Sequence, residues 1–415
     1  MGVRLSFFDQ LGGQFRMTVR QGRNFLQIPG PTPVPERVRQ AMDRDVIDHR
    51  GPEFVGLCNA VLEGCRTVFR TAGPVIIYPA SGTGAWEAAI VNTLSPGDRV
   101  LMVETGHFAE LWRRMAQRWG VQVDVIPGDW RRGIDADAVE SRLAEDRSHA
   151  IKAVMVVHNE TSTGVTSSIA AVRRAIDAVG HPALLMVDSV SSLGSIDYRH
   201  DEWGVDVTVC GSQKGLRLPP GLSFTALSAK AVAASRANSM PRSYWDWGDM
   251  LASNAMGQFP YTPATTLLLG LREAIAMLLE EGLEACFARH QTMAAATRAA
   301  VRAWGLELLC LEPSDYSPVV TVALTPPDCD ADRFRRVTLE AFNLSLGSGL
   351  GRLAGKAFRI GHLGDCNALT LMAALSGVEM GLAAAGVPHR SGGVMAAMAV
   401  LEPRVERPAA MGAVA

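Results

Sequence analysis

Short apolar runs recur along the first half of the chain, at residues 75–79, 99–104, 121–126, 153–158, 183–188, 205–210 and 223–228. Between them, apolar residues fall at helical spacing from Ala85, through Trp112 and Trp119, and over 169–179. The runs are rich in Val, Ile and Leu and lack polar alternation, as strands buried on both faces require. The pattern predicts an α/β fold with a mostly parallel sheet of seven strands between two layers of helices. One run after another ends in a polar or Gly-rich turn, and in open α/β sheets ligands sit beyond the carboxyl ends of the strands.

Residues 28–35 read Ile-Pro-Gly-Pro-Thr-Pro-Val-Pro, an extended segment in which four prolines forbid helix, with Pro35 opening the helix that follows. Leucine and alanine spaced at three and four over 264–303 predict long helices. Beyond 304 the pattern changes to strand-like 319–324, a helix from Asp332 and strand-like 357–362, a smaller α+β unit. The expected division is an arm over 1–25, a large domain over 26–283, a small domain over 284–392 and a tail over 393–415. Met17 offers an alternative start within the arm, and the tail is expected to pack as one helix and then fray.

Of the 415 residues, 48% are apolar and 20% charged, which excludes global disorder. The net charge of −2 excludes a broad nucleic-acid footprint, and neither end carries a basic helix-turn-helix segment. The seven cysteines are odd in number and form no C-x-x-C, so they read as free thiols in a reducing compartment. Zinc spacings are absent, so no metal site is expected, and no apolar run approaches the ~18 residues of a membrane span. Without a signal-peptide plan at the start, the expected location is the cytoplasm. Only Lys152, Lys214, Lys230 and Lys356 carry an amine, the other basic residues being arginines.

Lys214 stands out, in Val-Cys-Gly-Ser-Gln-Lys-Gly-Leu just past a strand. A lysine there can form a Schiff base with a carbonyl cofactor, and a solvated turn lysine reads the same locally. Asp188 ends the apolar run one strand earlier, either as a turn cap or as the acid that a pyridine nitrogen needs. Ala80-Ser81-Gly82-Thr83-Gly84 joins a strand to a helix, and serves either as a tight turn or as a phosphate cradle at a helix N-terminus. It is neither a Walker A motif nor G-x-G-x-x-G. Arg359, amid apolar neighbours, suits a substrate carboxylate or a structural ion pair.

In this order the features resemble the class V aminotransferases, fold type I pyridoxal-phosphate enzymes, and within them the alanine/serine–glyoxylate group, most closely its bacterial serine–glyoxylate members. The resemblance runs from about Phe25 to Gly393. Its text includes Pro29-Gly30-Pro31-Thr32, Ile47-Asp48-His49-Arg50, Ser81-Gly82-Thr83-Gly84, His158-Asn159-Glu160-Thr161-Ser162-Thr163-Gly164, Val187-Asp188-Ser189-Val190-Ser191-Ser192, Gly211-Ser212-Gln213-Lys214-Gly215, Tyr261-Thr262-Pro263 and Phe358-Arg359-Ile360-Gly361.

The resemblance implies pyridoxal 5'-phosphate as cofactor and a homodimer with shared active sites. It implies Lys214 as Schiff-base lysine and proton carrier, and Asp188 at the pyridinium nitrogen. Ser81, Gly82, Thr83 and Gln213 would hold the phosphate, Thr161 the ring oxygen, and Val190 would pack beneath the ring. Arg359 would clamp the substrate carboxylate beside Gly30, while Tyr261 and Thr262 would reach the phosphate from the neighbouring subunit. The implied reaction is ping-pong transamination of L-serine with glyoxylate, giving hydroxypyruvate and glycine, with L-aspartate and L-alanine as alternative donors.

Two positions depart from the pattern. Phe108 stands where relatives stack a tryptophan on the cofactor, and Leu216-Arg217-Leu218 follows the lysine where relatives often carry an aromatic and a methionine. Arg217 either puts a charge near the active-site mouth or points outward, and the outward orientation is expected. A cysteine desulfurase-like lyase shares this fold and needs a reactive cysteine on a mobile loop. Cys310, Cys329 and Cys366 lie in no matching motif.

Overall fold

The computed structural model describes residues 22–402, so Met17, most of the arm and the end of the tail lie outside the described residues. Seven strands form one sheet in the order Val75–Tyr78, Ser223–Leu227, Val207–Gly211, Leu184–Asp188, Ile151–Val157, Arg99–Val103, Gln122–Ile126. Neighbours are parallel except at Ser223–Leu227, which is antiparallel to both of its partners. The seven predicted runs supply these strands.

Successive side chains serve opposite faces. Val75, Ile77, Leu185 and Val187 join one core, while Ile76, Tyr78, Leu184 and Met186 join the other. The first core is closed by the helices Pro52–Phe69, Ile169–Ala178 and Thr265–Glu281, and the second by Gly82–Thr93, His107–Arg118 and Trp247–Asn254. Because both faces are covered, almost every strand position must be apolar, and polar chemistry is displaced to the strand ends.

Helix Pro52–Phe69 is absent from the sequence expectations, although Phe54, Leu57, Cys58, Val61, Leu62, Cys65, Val68 and Phe69 follow helical spacing. Its glycines weaken the propensity signal. Gly64 has a packing reason: a Cβ there would lie 2.8 Å from Ile275 Cγ2, so the glycine lets this helix approach Thr265–Glu281.

A second sheet has five strands in the order Phe25–Gln27, Leu344–Ser348, Ala357–Gly361, Val320–Leu324, Glu307–Leu308. Phe25–Gln27, from the start of the described chain, runs parallel to Leu344–Ser348. That pairing, the strand Leu344–Ser348 and the short strand Glu307–Leu308 are not predicted, since each is brief or interrupted by glycine. The predicted long helices are Thr265–Glu281 and Leu283–Ala303, separated at Gly282, whose φ of 82° is glycine territory.

Helix Gly393–Leu401 realises the predicted tail helix. Glu379 anchors its start, accepting from Gly392 N (2.8 Å), Val394 N (3.0 Å) and Trp304 Nε1 (2.9 Å). Glu379→Ala should cost about 2 kcal/mol by removing three hydrogen bonds to a charged group, seen as a lower urea midpoint. Amide exchange should accelerate over 393–401 before it does in the large sheet.

Candidate active site

Five strand ends of the large sheet and the proline-rich turn converge on a cavity of about 210 Å³. Gly30, Ser81, Gly82, Thr83, Phe108, Thr161, Asp188, Val190, Gln213 and Lys214 line it, so most of the predicted site residues meet in one place.

Lys214 follows the strand Val207–Gly211 and is 8% exposed. Its Nζ donates to Pro29 O, and among the described residues it has no counter-ion. The proline-rich turn is held against it by Thr32, whose N donates to Gln213 O (3.0 Å) and whose Oγ1 donates to Lys214 O (3.2 Å). Gly30 has φ +105°, and a Cβ there would lie 2.3 Å from Lys214 Cδ, so only glycine leaves room for the amine. Burial pulls the lysine pKa down to about 8; Arg359 pulls the same way and Asp188 opposes.

Asp188 ends the adjacent strand, Leu184–Asp188. Oδ1 accepts from Val190 N (2.7 Å) and Oδ2 from Trp86 Nε1 (3.0 Å). Burial outweighs these donors and pushes the carboxyl up to about 7. A buried acid in this state favours a cationic partner at its free edge.

Ser81 caps the helix Gly82–Thr93 without a side-chain bond to the first turn, and the N–H groups of Gly82 and Thr83 meet no acceptor among the described residues. Gln213 Oε1 is buried there without a partner. A Cβ on Gly82 would lie 2.6 Å from Val190 Cγ2, so this glycine sets how closely the helix approaches the Asp188 loop.

Thr161 Oγ1 and Asn159 Nδ2 both donate to Ser191 Oγ at 2.8 Å. Arg359 crosses from the second sheet: Nε donates to Ser348 O (2.7 Å) and Nη1 to Thr161 O (3.0 Å), leaving Nη2 without a partner among the described residues. Burial lowers its pKa to about 10, so it stays cationic at neutral pH. Phe108 is held by its helix, whose first-turn N–H groups at Phe108 (3.4 Å) and Ala109 (3.2 Å) donate to the buried Glu160.

Trp86, Asn159, Ser191 and Glu160 are the functional-site residues that sequence reasoning missed. Trp86 sits one helical turn after Gly82 and so points at the same cavity, which spacing alone could have shown. Tyr261 and Thr262 do not line this cavity. Tyr261 instead stacks on Tyr244 (centroids 4.4 Å apart), and Thr262 is exposed. None of Cys310, Cys329 or Cys366 lines the cavity either.

Arg217 is a correction. It does not point outward: it is 3% exposed and its Nη2 donates to Glu281 Oε2 at 2.6 Å. The backbone turns inward there through a left-handed residue, φ 58°, and the half-buried Glu281 meets the guanidinium.

The family model of class V aminotransferases matches residues 25–332. The chain is a class V aminotransferase. This aminotransferase is 49% identical over 391 residues to a serine–glyoxylate aminotransferase of Methylorubrum extorquens, covering 92% of this chain and 97% of that one. It is 46% identical to an L-aspartate–glyoxylate aminotransferase of Paracoccus denitrificans, over 90% of this chain and 95% of that one. The solved structure of the ureidoglycine–glyoxylate aminotransferase of Bacillus subtilis matches it with a TM-score of 0.86 at 29% identity, over 92% of this chain and 99% of that one. The fold is that of the fold type I enzymes, and the cofactor is pyridoxal phosphate.

The cavity fits that cofactor. It offers one amine without a counter-ion, one buried acid and, at a helix N-terminus, unpaired donors beside the orphaned Gln213 amide.

The Asp188 pKa, above its ordinary 3.8 in the folded chain, means that the folded form holds the extra proton between about 4 and 7. Its contribution therefore favours folding at low pH and is lost as the pH rises through 7. In cofactor-free protein, Asp188→Asn should close the gap to wild type, or reverse it, between pH 5 and pH 8. Urea midpoints at the two pH values measure this.

Proposed function

We propose that this aminotransferase moves the amino group of L-serine to glyoxylate, giving hydroxypyruvate and glycine. The observation that carries the choice of donor is the charge of the cavity. Among the described lining residues the only cation is Lys214, and Arg359 is the cation beside it. One guanidinium suffices for the α-carboxylate of serine, whereas the side chain of aspartate would need a second. The relative named for serine is also the more similar of the two glyoxylate enzymes compared.

Lys214 would hold the cofactor's aldehyde carbon, Asp188 its ring nitrogen, Ser81, Gly82, Thr83 and Gln213 its phosphate, and Thr161 its ring oxygen. Phe108 and Val190 would flank the ring. Pyridoxal phosphate, when bound, supplies an aldehyde that takes up the amino group and a ring that accepts the electrons released with the α-proton. Arg359 fixes the donor by its carboxylate. Lys214, with its pKa lowered toward the working pH, takes the proton from the donor Cα and is the group that returns a proton in the second half-reaction. Asp188 holds a proton at the ring nitrogen. Phe108 and Trp86 form an aromatic wall on one side of the cavity. One amine and one carboxylate clamp serve both half-reactions, so the kinetics are ping-pong.

A homodimer completes the reading. Ser81 and Thr83 stay exposed in the single chain, and Tyr244, Met256 and Val46 present apolar surface. A second copy would cover this surface and bring its Tyr261 and Thr262 to the phosphate. The division into domains at about residues 283 and 392 belongs to the same proposal, with Arg359 reaching across. A cytoplasmic location is part of it too, in keeping with seven free thiols; no helix among the described residues is long and apolar enough to cross a membrane.

The test is the visible spectrum of the purified enzyme, titrated separately with L-serine, L-aspartate and L-alanine. Serine should bleach the yellow band at the lowest concentration, and glyoxylate should restore it. Bleaching by aspartate with serine inert would overturn the donor assignment. Lys214→Ala should abolish turnover. Arg359→Ala should raise the KM of every donor by about two orders of magnitude, as loss of a charge-assisted clamp requires.

A further inference from the structure

Arg217 lies three residues past Lys214, and its N donates to Lys214 O at 3.0 Å, closing the lysine's own turn. Its left-handed backbone, φ 58°, is a conformation that non-glycine residues seldom adopt. The side chain runs into the protein and meets Glu281, the last residue of helix Thr265–Glu281. The same carboxylate accepts from Arg289 Nε (2.6 Å) and Nη2 (3.1 Å). Arg289 Nη1 in turn donates to Cys366 O (2.7 Å) and Gly364 O (3.3 Å). These carbonyls belong to the loop that leaves strand Ala357–Gly361, the strand that carries Arg359. His290 pins the loop a second time, its Nε2 accepting from Gly364 N at 3.1 Å.

A continuous chain of charged hydrogen bonds therefore runs from the turn of Lys214 to the loop that follows the strand of Arg359. Arg217 is buried while Glu281 and Arg289 are partly exposed, and an ion pair withdrawn from water seldom adds stability over well-packed apolar residues of the same volume; here the bridge joins two parts of the site. Geometry is what this reaction needs, because the amine must reach the Cα of a substrate whose carboxylate is held elsewhere.

We infer that Arg217 is a positioning residue, and that the Arg217–Glu281–Arg289 bridge sets the separation between the proton-moving amine of Lys214 and the carboxylate-holding guanidinium of Arg359. The inference rests on the roles given to those two residues under the proposed function. The bridge acts as one unit: cutting it at either end releases the same constraint. Apart from Gln213 and Lys214, the residues that would hold the cofactor lie outside the bridge, so cofactor affinity should change little.

The experiment compares holoenzymes of wild type, Arg217→Met, Arg289→Met and the double variant. Four quantities are measured: kcat and KM for L-serine, affinity for glycolate read from the visible band, affinity for pyridoxal phosphate, and melting temperature. Glycolate carries a carboxylate but no amine, so it reports the clamp without reaction. Each single variant should weaken glycolate binding and raise the KM for serine between about tenfold and a hundredfold. Cofactor affinity should stay within about twofold. The double variant should be no worse than the poorer single, the mark of a shared pathway. Arg217→Lys should recover part of the loss. Should Arg217→Met fail to fold, the near-isosteric Glu281→Gln carries the same comparison.

A lower melting temperature with unchanged glycolate affinity and KM would overturn the inference and leave a structural ion pair. Multiplying effects in the double variant would also overturn it. A wild type that binds glycolate yet never bleaches with an amino acid would refute the functional reading instead, and the glycolate affinities would still decide the bridge.

Discussion

Lys214 and Asp188 are buried at the ends of neighbouring strands, and among the described residues neither has an ion-pair partner. Buried without a counter-charge, the two groups are unfavourable for the protein alone, and burial pushes the lysine down and the carboxyl up. Much of the surrounding architecture keeps the two groups there regardless. The strands that present them are apolar on both faces, the turn of Thr32 binds the lysine loop from one side, and Val190 N and Trp86 Nε1 grip the carboxylate from the other. A cofactor with an electrophilic carbon at one end of a ring and a basic nitrogen at the other relieves both groups together. The apoprotein thus carries stored electrostatic cost that binding repays.

The rest of the site is organised by residues that touch each other more than they touch the cavity. Ser191 gathers Thr161 and Asn159 into one network. Glu160, whose carboxyl burial pushes above the usual carboxylate range despite four donors, seats the helix that presents Phe108. Arg359 reads the backbone of Thr161 across the two sheets, so the proposed carboxylate clamp is registered directly against the loop proposed to face the cofactor.

Much of this was legible in the sequence, for physical reasons that differ from place to place. Strands such as Leu184–Asp188 announce themselves because double burial leaves no room for polar residues. Lys214 and Gly82 are legible because an amine at a strand end and a glycine at a helix start are both costly without a purpose. Helix Pro52–Phe69 escaped because Gly56 and Gly64 blur a pattern that tertiary packing rescues, and Leu344–Ser348 because two neighbours, not its own residues, make it a strand. Arg217 was misjudged since charge usually seeks water. Its counter-charge lies 64 residues away, a pairing that local reading does not reveal.

The scarcity of lysine acquires a meaning from where the lysines sit. Lys214 is enclosed in the cavity proposed for the cofactor, and the other three, Lys152, Lys230 and Lys356, are exposed. Cofactor and proposed acceptor are both aldehydes, reagents that condense with free amines indiscriminately. A surface whose positive charge is carried almost wholly by guanidinium groups offers them few places to stick, so the enzyme can work amid its own electrophiles with little collateral adduct formation.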